Sequence, residues 1–436
     1  MTHATLLDDV VRLGPGLGEV RTQRIVLFTP EDPLVLANGA RLGPVEVAYE
    51  TYGTLDAAGT NAVVLCHALT GDAHAAGHHG DPARRGWWDA LVGPGRAIDT
   101  DRWFIVCANL LGGCRGTTGP SSTDPRTGRA YGLDFPALAV ADLVRVQRAL
   151  LRALGVSRVA AAIGGSLGGM QVLEWALQAP EEVERALVLC ASARLSAQNV
   201  ALSTAAREGI LRDPDFQDGR YPGTGRIPAA GLAAARMLGH VTYVTEEALE
   251  RKFGRRRRPA DGDATTHGDA RTAGAPATDG PRPVPPRDGH DWFRPSFEVE
   301  HYLAHQATTF LERFDALSYL YLTKVMDDFV PFEAPDATER LARVRAAGTR
   351  FLVESFSSDW RFGPEHSDRI ADALAGAGIP VRREDVASPW GHDSFLLPLR
   401  AHLDVVATAL GTPGPAAAHP SRAADHVAGA GAPTRP

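Results

Sequence analysis

The sequence predicts an α/β protein: a mostly parallel sheet with helices on both faces and a helical lid inserted into it. Three observations carry that reading. Short apolar runs recur along the chain and read as buried strands. Segments with apolar residues at helical spacing alternate with them. The segment Gly164-Gly165-Ser166-Leu167-Gly168-Gly169 joins one such strand-like run, 159–163, to a helix-like run, 170–179. Strand, glycine-flanked serine and helix are the setting of a nucleophile elbow, in which a tight turn exposes the serine hydroxyl.

The elements follow in order. Residues 1–20 show no periodic pattern and are expected to be flexible. The core is expected over 21–194 and again over 330–411. Within it, 44–53 (PVEVAYETYG) alternates and reads as a strand closing at a turn, and 61–66 and 102–108 read as short buried strands. Asp134, with Pro136 behind it, is a candidate helix start; Leu143, Val146, Leu150 and Leu154 recur at helical spacing, and Gly155 ends the run. The run 159–163 leads into the elbow, and 186–190 is the next strand. Residues 195–329 break the alternation, look helical and are expected to form the lid. Inside them, 255–290 is rich in Arg, Gly, Pro, Thr and Asp and nearly free of large apolar side chains, so disorder is expected. The four arginines at 255–258 read as a solvated charge run. Later, 351–354 and 381–386 read as strands flanking a helical run at 368–374. The Ala-, Gly- and Pro-rich tail 412–436 is expected to be disordered.

Composition narrows the function class. The 436 residues carry 22% charged and 44% hydrophobic residues and a formal charge of −7, ordinary for a globular protein and no invitation to nucleic acid. No apolar run reaches membrane-span length, and the start lacks a basic-then-apolar signal pattern, so no membrane contact and a cytoplasmic location are expected. Cys66, Cys107 and Cys190 lie in apolar runs and read, as does the chain's cysteine usage generally, as buried thiols without a disulfide frame. His74, His78 and His79 lie near Asp72 and Asp81 but without the helical spacing of a zinc site, so no metal is expected.

A serine nucleophile needs a base, and the base needs an orienting acid. Asp359 follows the strand at 351–354, and His392 follows the strand at 381–386. With Ser166 they run in the order Ser, Asp, His and all fall on loops after strands, where open α/β sheets place their sites. His366 also follows Asp359 but sits where a helix starts. The backbone N–H of Leu167 is one candidate oxyanion donor. Leu69, in the HALTGDAH segment after strand 61–66, is the second, and His67 is expected to support that loop.

The chain resembles the homoserine O-acetyltransferase family, α/β-hydrolase-fold enzymes of methionine biosynthesis. The matching segments are HALTGDAH (67–74), CANLLGGCRGTTGPSS (107–122), GGSLGGMQVLEWA (164–176), LSAQN (195–199), ARMLGHVTY (235–243), KFGR (252–255), RFDALSYL (313–320), SSDW (357–360) and GHDSF (391–395). The resemblance implies Ser166, Asp359 and His392 as the triad and Leu69 and Leu167 as oxyanion donors. It also implies Arg236 and Asp393 as ligands of the amino-acid substrate, whose carboxylate and ammonium need opposite charges. It implies ping-pong transfer of an acetyl group from acetyl-CoA, a cosubstrate, to L-homoserine. No bound cofactor is required, and a homodimer through the lid helices is expected. Succinyl-CoA as donor, serine as acceptor, or hydrolysis are the alternatives. Leu317, Arg361, Gly363 and the long 255–290 segment depart from the family pattern; Leu317 and the segment, in or near the lid, bear on substrate choice.

Overall fold

Eight strands form the central sheet: β1 (Gln23–Leu27), β2 (Val45–Tyr52), β3 (Ala62–Cys66), β4 (Phe104–Ala108), β5 (Val159–Gly165), β6 (Arg185–Leu189), β7 (Arg350–Phe356) and β8 (Val381–Val386). The computed structural model describes residues 10–11, 16–257 and 294–411. The spatial order is β1-β2-β4-β3-β5-β6-β7-β8. From β4 to β8 every neighbouring pair is parallel; β2 runs antiparallel to both β1 and β4. This is the α/β-hydrolase fold.

The all-apolar strands are buried on both faces. Alternate residues feed two cores: Val64, Cys66, Ala162, Val188 and Val353 face one, and Val63, Leu65, Ala161, Ile163, Leu187 and Leu352 the other. Helices α1 (Val140–Ala153) and α2 (Leu167–Gln178) pack into the first core through Leu143, Leu150, Leu173 and Trp175. Helix α10 (Arg400–Leu410) covers the second through Leu403, Val406 and Leu410. Between β6 and β7 the described residues form helices α3 (Ala197–Leu211), α4 (Ala229–Tyr243), α5 (Glu246–Lys252), α6 (Glu298–Leu311), α7 (Ala316–Asp327) and α8 (Ala337–Ala347). Helix α4 lies against α3 and α6. Helix α9 (Pro364–Gly376) joins β7 to β8.

Two elements differ from the sequence reading. Asp134 does not cap α1; it ends a 3-10 turn, Gly132–Asp134, and the helix begins at Val140. There the Ala139 N–H donates to Asp142 (2.9 Å), so the cap is supplied from inside the first turn. Strand β1 falls at the sheet edge with mostly exposed residues, and such a strand carries no buried alternation to announce it. Residues 16–20 pack beside the core, the Val20 N–H donating to the His78 carbonyl (3.0 Å). Residues 1–9 and 12–15 of the expected flexible start, 258–290 of the 255–290 segment, and the 412–436 tail lie outside the described residues.

Parallel register sets the carboxyl ends of β3, β5, β6 and β7 at one edge: Gly164 pairs with both Cys66 and Val188, and Leu189 with Glu354. The loops holding Leu69, Ser166, Asp359 and His392 all leave from that edge.

Candidate active site

Ser166 occupies the elbow with φ 59° and ψ −125°, a region that side-chain-bearing residues rarely enter. Close packing makes the turn possible. A Cβ on Gly168 would stand 2.0 Å from the Cys66 carbonyl oxygen, and one on Gly164 2.5 Å from the Gly168 backbone. Only glycine at both points lets strand and helix approach so closely. The Ser166 N–H donates to the Leu189 carbonyl (3.1 Å), which ties the elbow to β6.

His392 and Asp359 meet as predicted from their loops. His392 Nδ1 lies 2.6 Å from Asp359 Oδ2, with both side chains buried. Asp359 Oδ1 accepts the N–H groups of Arg361 (2.9 Å) and Phe362 (2.8 Å). Burial alone would raise the Asp359 pKa, but the His392 charge and hydrogen bond and the two backbone donors outweigh it and hold the carboxyl below its usual range. An ionised acid on Nδ1 leaves Nε2 as the ring nitrogen available for proton transfer. The imidazole is clamped by rings: Phe362 at 4.9 Å, Phe395 at 5.8 Å and Tyr243 of α4 at 5.9 Å between centroids. Cys190, after β6, stands beside the pair. Its thiol lies within 4.8 Å of an Asp359 carboxylate oxygen and a His392 ring nitrogen. Burial pushes that thiol well up, so it stands neutral beside them.

The loop after β3 is fastened to the elbow helix. Gln171 Nε2 donates to the carbonyls of His67 and Leu167 (3.1 Å each) and its Oε1 accepts from Gln147 (2.7 Å). His67 Nε2 accepts the Leu110 N–H (3.2 Å) and Nδ1 donates to the Ala68 carbonyl (2.8 Å), so both ring nitrogens serve the loop's shape. Leu69 is buried, and Leu167 opens α2, where an N–H has no partner within the helix.

Arg236 lies on α4 and Asp393 in the turn Gly391–Leu396, close enough for the Arg236 charge to act on the Asp393 carboxyl. Arg236 Nη1 donates weakly to Thr70 (3.4 Å), its guanidinium stacks 4.7 Å over Phe310, and Nε is buried without a partner. Burial raises the Asp393 pKa to about 6, despite the opposing charges of His392 and Arg236. No ion pair joins Arg236 to Asp393 among the described residues.

A protein-family model described as alpha/beta hydrolase fold matches residues 61–398. The homoserine O-succinyltransferase of Nocardioides sp. is 51% identical over 396 residues, 91% of this chain and 99% of that protein. The chain belongs to the α/β-hydrolase-fold homoserine O-acyltransferases. The homoserine O-acetyltransferase of Nitrobacter hamburgensis is 43% identical, covering 88% of this chain and 90% of that one. The crystal structure of homoserine O-acetyltransferase from Bacillus anthracis superposes with a TM-score of 0.74 at 25% identity, over 91% of this chain and 99% of that one.

In this homoserine O-acyltransferase two further cations lie by the site: Arg313, which the sequence did not mark, and Arg361, which it marked as a departure from the family pattern. Arg313 donates to the Thr70 carbonyl (2.8 Å) and lies over the same Phe310 ring as Arg236, at 5.3 Å. Arg361 stacks 5.5 Å over Tyr243 and donates to Thr242 (2.9 Å). Leu317 is fully buried on α7, where its N–H donates to the Tyr221 hydroxyl (3.0 Å). Among the described residues no helix is long and apolar enough to cross a membrane.

Proposed function

We propose that this chain transfers a succinyl group from succinyl-CoA to the γ-hydroxyl of L-homoserine through an acyl-Ser166 intermediate, a step of methionine biosynthesis. The observation that carries the donor is the likeness, over nearly the whole of both chains, to the Nocardioides succinyltransferase. It displaces the expected acetyl-CoA. The charge of the site supports it. Homoserine brings one carboxylate, for which Arg236 suffices; a succinyl group brings a second, and Arg313, over the same Phe310 ring as Arg236, and Arg361, over Tyr243 beside His392, are further guanidiniums nearby. An acetyl group would leave them without that work.

The residues then act as follows. His392 Nε2 takes the Ser166 proton while Oγ attacks the thioester carbonyl. The Leu69 and Leu167 N–H groups hold the oxyanion, an interaction worth about 3–4 kcal/mol per donor. The tetrahedral adduct collapses, the carbon–sulfur bond breaks, and CoA leaves with the proton from His392. Homoserine binds with its carboxylate on Arg236 and its ammonium on Asp393. Its γ-hydroxyl gives its proton to His392 and attacks the acyl-serine; collapse releases O-succinylhomoserine and returns the proton to Ser166. Asp359 keeps Nδ1–H oriented and stabilises the imidazolium. No bound cofactor or metal takes part.

Two further points belong to the proposal. Helices α3 to α7 act as a lid that favours the bound amino acid over water. Val241 and Trp360 are exposed beside a cleft lined also by Val244, Leu249 and Phe253, and this face joins two copies into a homodimer. Thiol release from purified protein with succinyl-CoA or acetyl-CoA, each with homoserine, serine or no acceptor, tests the reading. Release that ignores the amino acid refutes the transferase, and preference for acetyl-CoA refutes the donor. A monomer by sedimentation at micromolar concentration refutes the dimer.

A further inference from the structure

Glu50 lies mid-strand in β2 with its side chain 1% exposed. Among the described residues its only ion-pairing partners are two histidines. Oε1 accepts from Thr22 (2.8 Å) and His79 Nε2 (2.7 Å); Oε2 accepts from the Tyr52 hydroxyl (2.8 Å) and His74 Nδ1 (3.0 Å). Four donors fill the four lone-pair positions of a carboxylate. The His74 and His79 rings stack at 3.9 Å, and the Tyr52 hydroxyl also accepts the N–H groups of Ala75 (2.9 Å) and Ala76 (3.2 Å). One carboxylate thus gathers the N-terminal segment, β2 and the stretch 74–79.

That stretch is the far anchor of the loop carrying Leu69. The near anchor is His67, bound to Leu110. Between the anchors the chain turns through Gly71, whose N–H donates to the Ala68 carbonyl (3.0 Å). Asp72 connects the turn to His74: its carboxylate accepts the His74 N–H (3.0 Å) and its carbonyl the Trp87 indole N–H (2.9 Å). The Leu69 N–H is therefore held between two buried polar fastenings, and a shift at the far one reaches it through residues 70–73.

We propose that Glu50, His74 and His79 are positioning residues that hold the Leu69 N–H where the oxyanion forms. The inference rests on the proposed oxyanion role of Leu69. Burial would raise the Glu50 pKa, but the donors from His74, Thr22 and Tyr52 outweigh it and keep the carboxylate ionised. What the hub requires from each histidine is a donor N–H. An asparagine in place of His74 reproduces a donor at the Nδ1 position, and a glutamine in place of His79 one at the Nε2 position. A metal-binding or proton-transferring role would tolerate neither.

The test compares Glu50→Gln, His74→Leu, His74→Asn, His79→Leu and His79→Gln. His79 is half exposed and its variants secure the test should the buried ones not fold. Three readouts are taken on folded protein: kcat against KM, Ser166 acylation by p-nitrophenyl acetate, and inhibition by an alkyl trifluoromethyl ketone, whose adduct with Ser166 carries an oxyanion. Glu50→Gln, His74→Leu and His79→Leu should lose about 10- to 100-fold in kcat and in ester acylation, with KM nearly unchanged and ketone affinity falling in step. His74→Asn and His79→Gln should keep most of the activity. Ester acylation needs neither acyl-CoA nor homoserine, so its loss in the variants supports the hub even if the transferase reading fails. Wild-type kcat and ketone affinity in the folded leucine variants overturn the proposal. So does a His74→Asn protein as impaired as His74→Leu, or one tightly held zinc per chain that His79→Gln removes.

Discussion

Asp393→Asn separates what the fold wants from what the proposed chemistry wants. The Asp393 carboxyl titrates at about 6 in the folded protein, against an ordinary value of 3.8, because burial disfavours its charge. That displacement corresponds to about 3 kcal/mol of strain on the ionised form, and its remaining contact with water reduces this to about 1–2 kcal/mol. The sign follows from the raised pKa. Below the unfolded value the group is neutral in both states and costs nothing; the cost grows as pH rises from about 4 to about 6 and is constant above. Asparagine removes it. The variant should melt a few degrees higher than wild type at pH 7.5, and the gain should vanish toward pH 4. Its first half-reaction, thiol release during acylation, should stay near the wild-type rate. Its kcat/KM for homoserine should fall at least about 30-fold, because the substrate ammonium loses a buried charge partner. Differential scanning calorimetry across pH, with stopped-flow assays of each half-reaction, checks both halves. A variant that melts lower at pH 7.5, or that uses homoserine as well as wild type, refutes the reasoning.

The other expectations are brief. In wild type, kcat/KM for homoserine should decline as pH falls through about 6, since protonated Asp393 cannot hold the ammonium and protonated His392 cannot act as base; a flat profile from pH 5 to 8 contradicts it. Ser166→Gly should abolish thiol release yet raise stability by about 1 kcal/mol, because glycine relieves the positive φ; a lower melting temperature refutes the strain. Arg361→Met should cost about 10- to 100-fold in kcat/KM with succinyl-CoA, the worth of a charge-assisted hydrogen bond, and little with acetyl-CoA; equal losses for both donors place Arg361 outside succinyl recognition. Gly168→Ala should destabilise by about 3 kcal/mol or more, since its Cβ would meet the Cys66 carbonyl at 2.0 Å; wild-type melting refutes the packing argument.

The centre of the parallel sheet was legible because β3, β5 and β6 are buried on both faces and read as apolar runs. Edge strand β1, held by pairing with β2 and largely exposed, left no such trace. Within the site, Ser166 was legible from its glycines, whose absence of side chains is a packing requirement. Asp359 and His392 were legible from their places after strands. Arg236 and Asp393 entered only through family resemblance, since an arginine on a helix has no spacing that marks it as a ligand. Glu50 stayed hidden for a different reason: in an alternating strand a glutamate reads as solvent-facing, and only folding shows it buried under four donors. Arg313 and Arg361 gather by tertiary packing on Phe310 and Tyr243, which local sequence does not encode.

The central claim is that Ser166 carries the acyl group and yields it to an amino acid. Peptide mass spectrometry on quenched single turnovers measures this most directly. With succinyl-CoA alone the Ser166 peptide should carry a succinyl adduct, and homoserine should discharge it far faster than buffer does. An unmodified Ser166 peptide while thiol is released, or an adduct that homoserine does not discharge, would contradict the account.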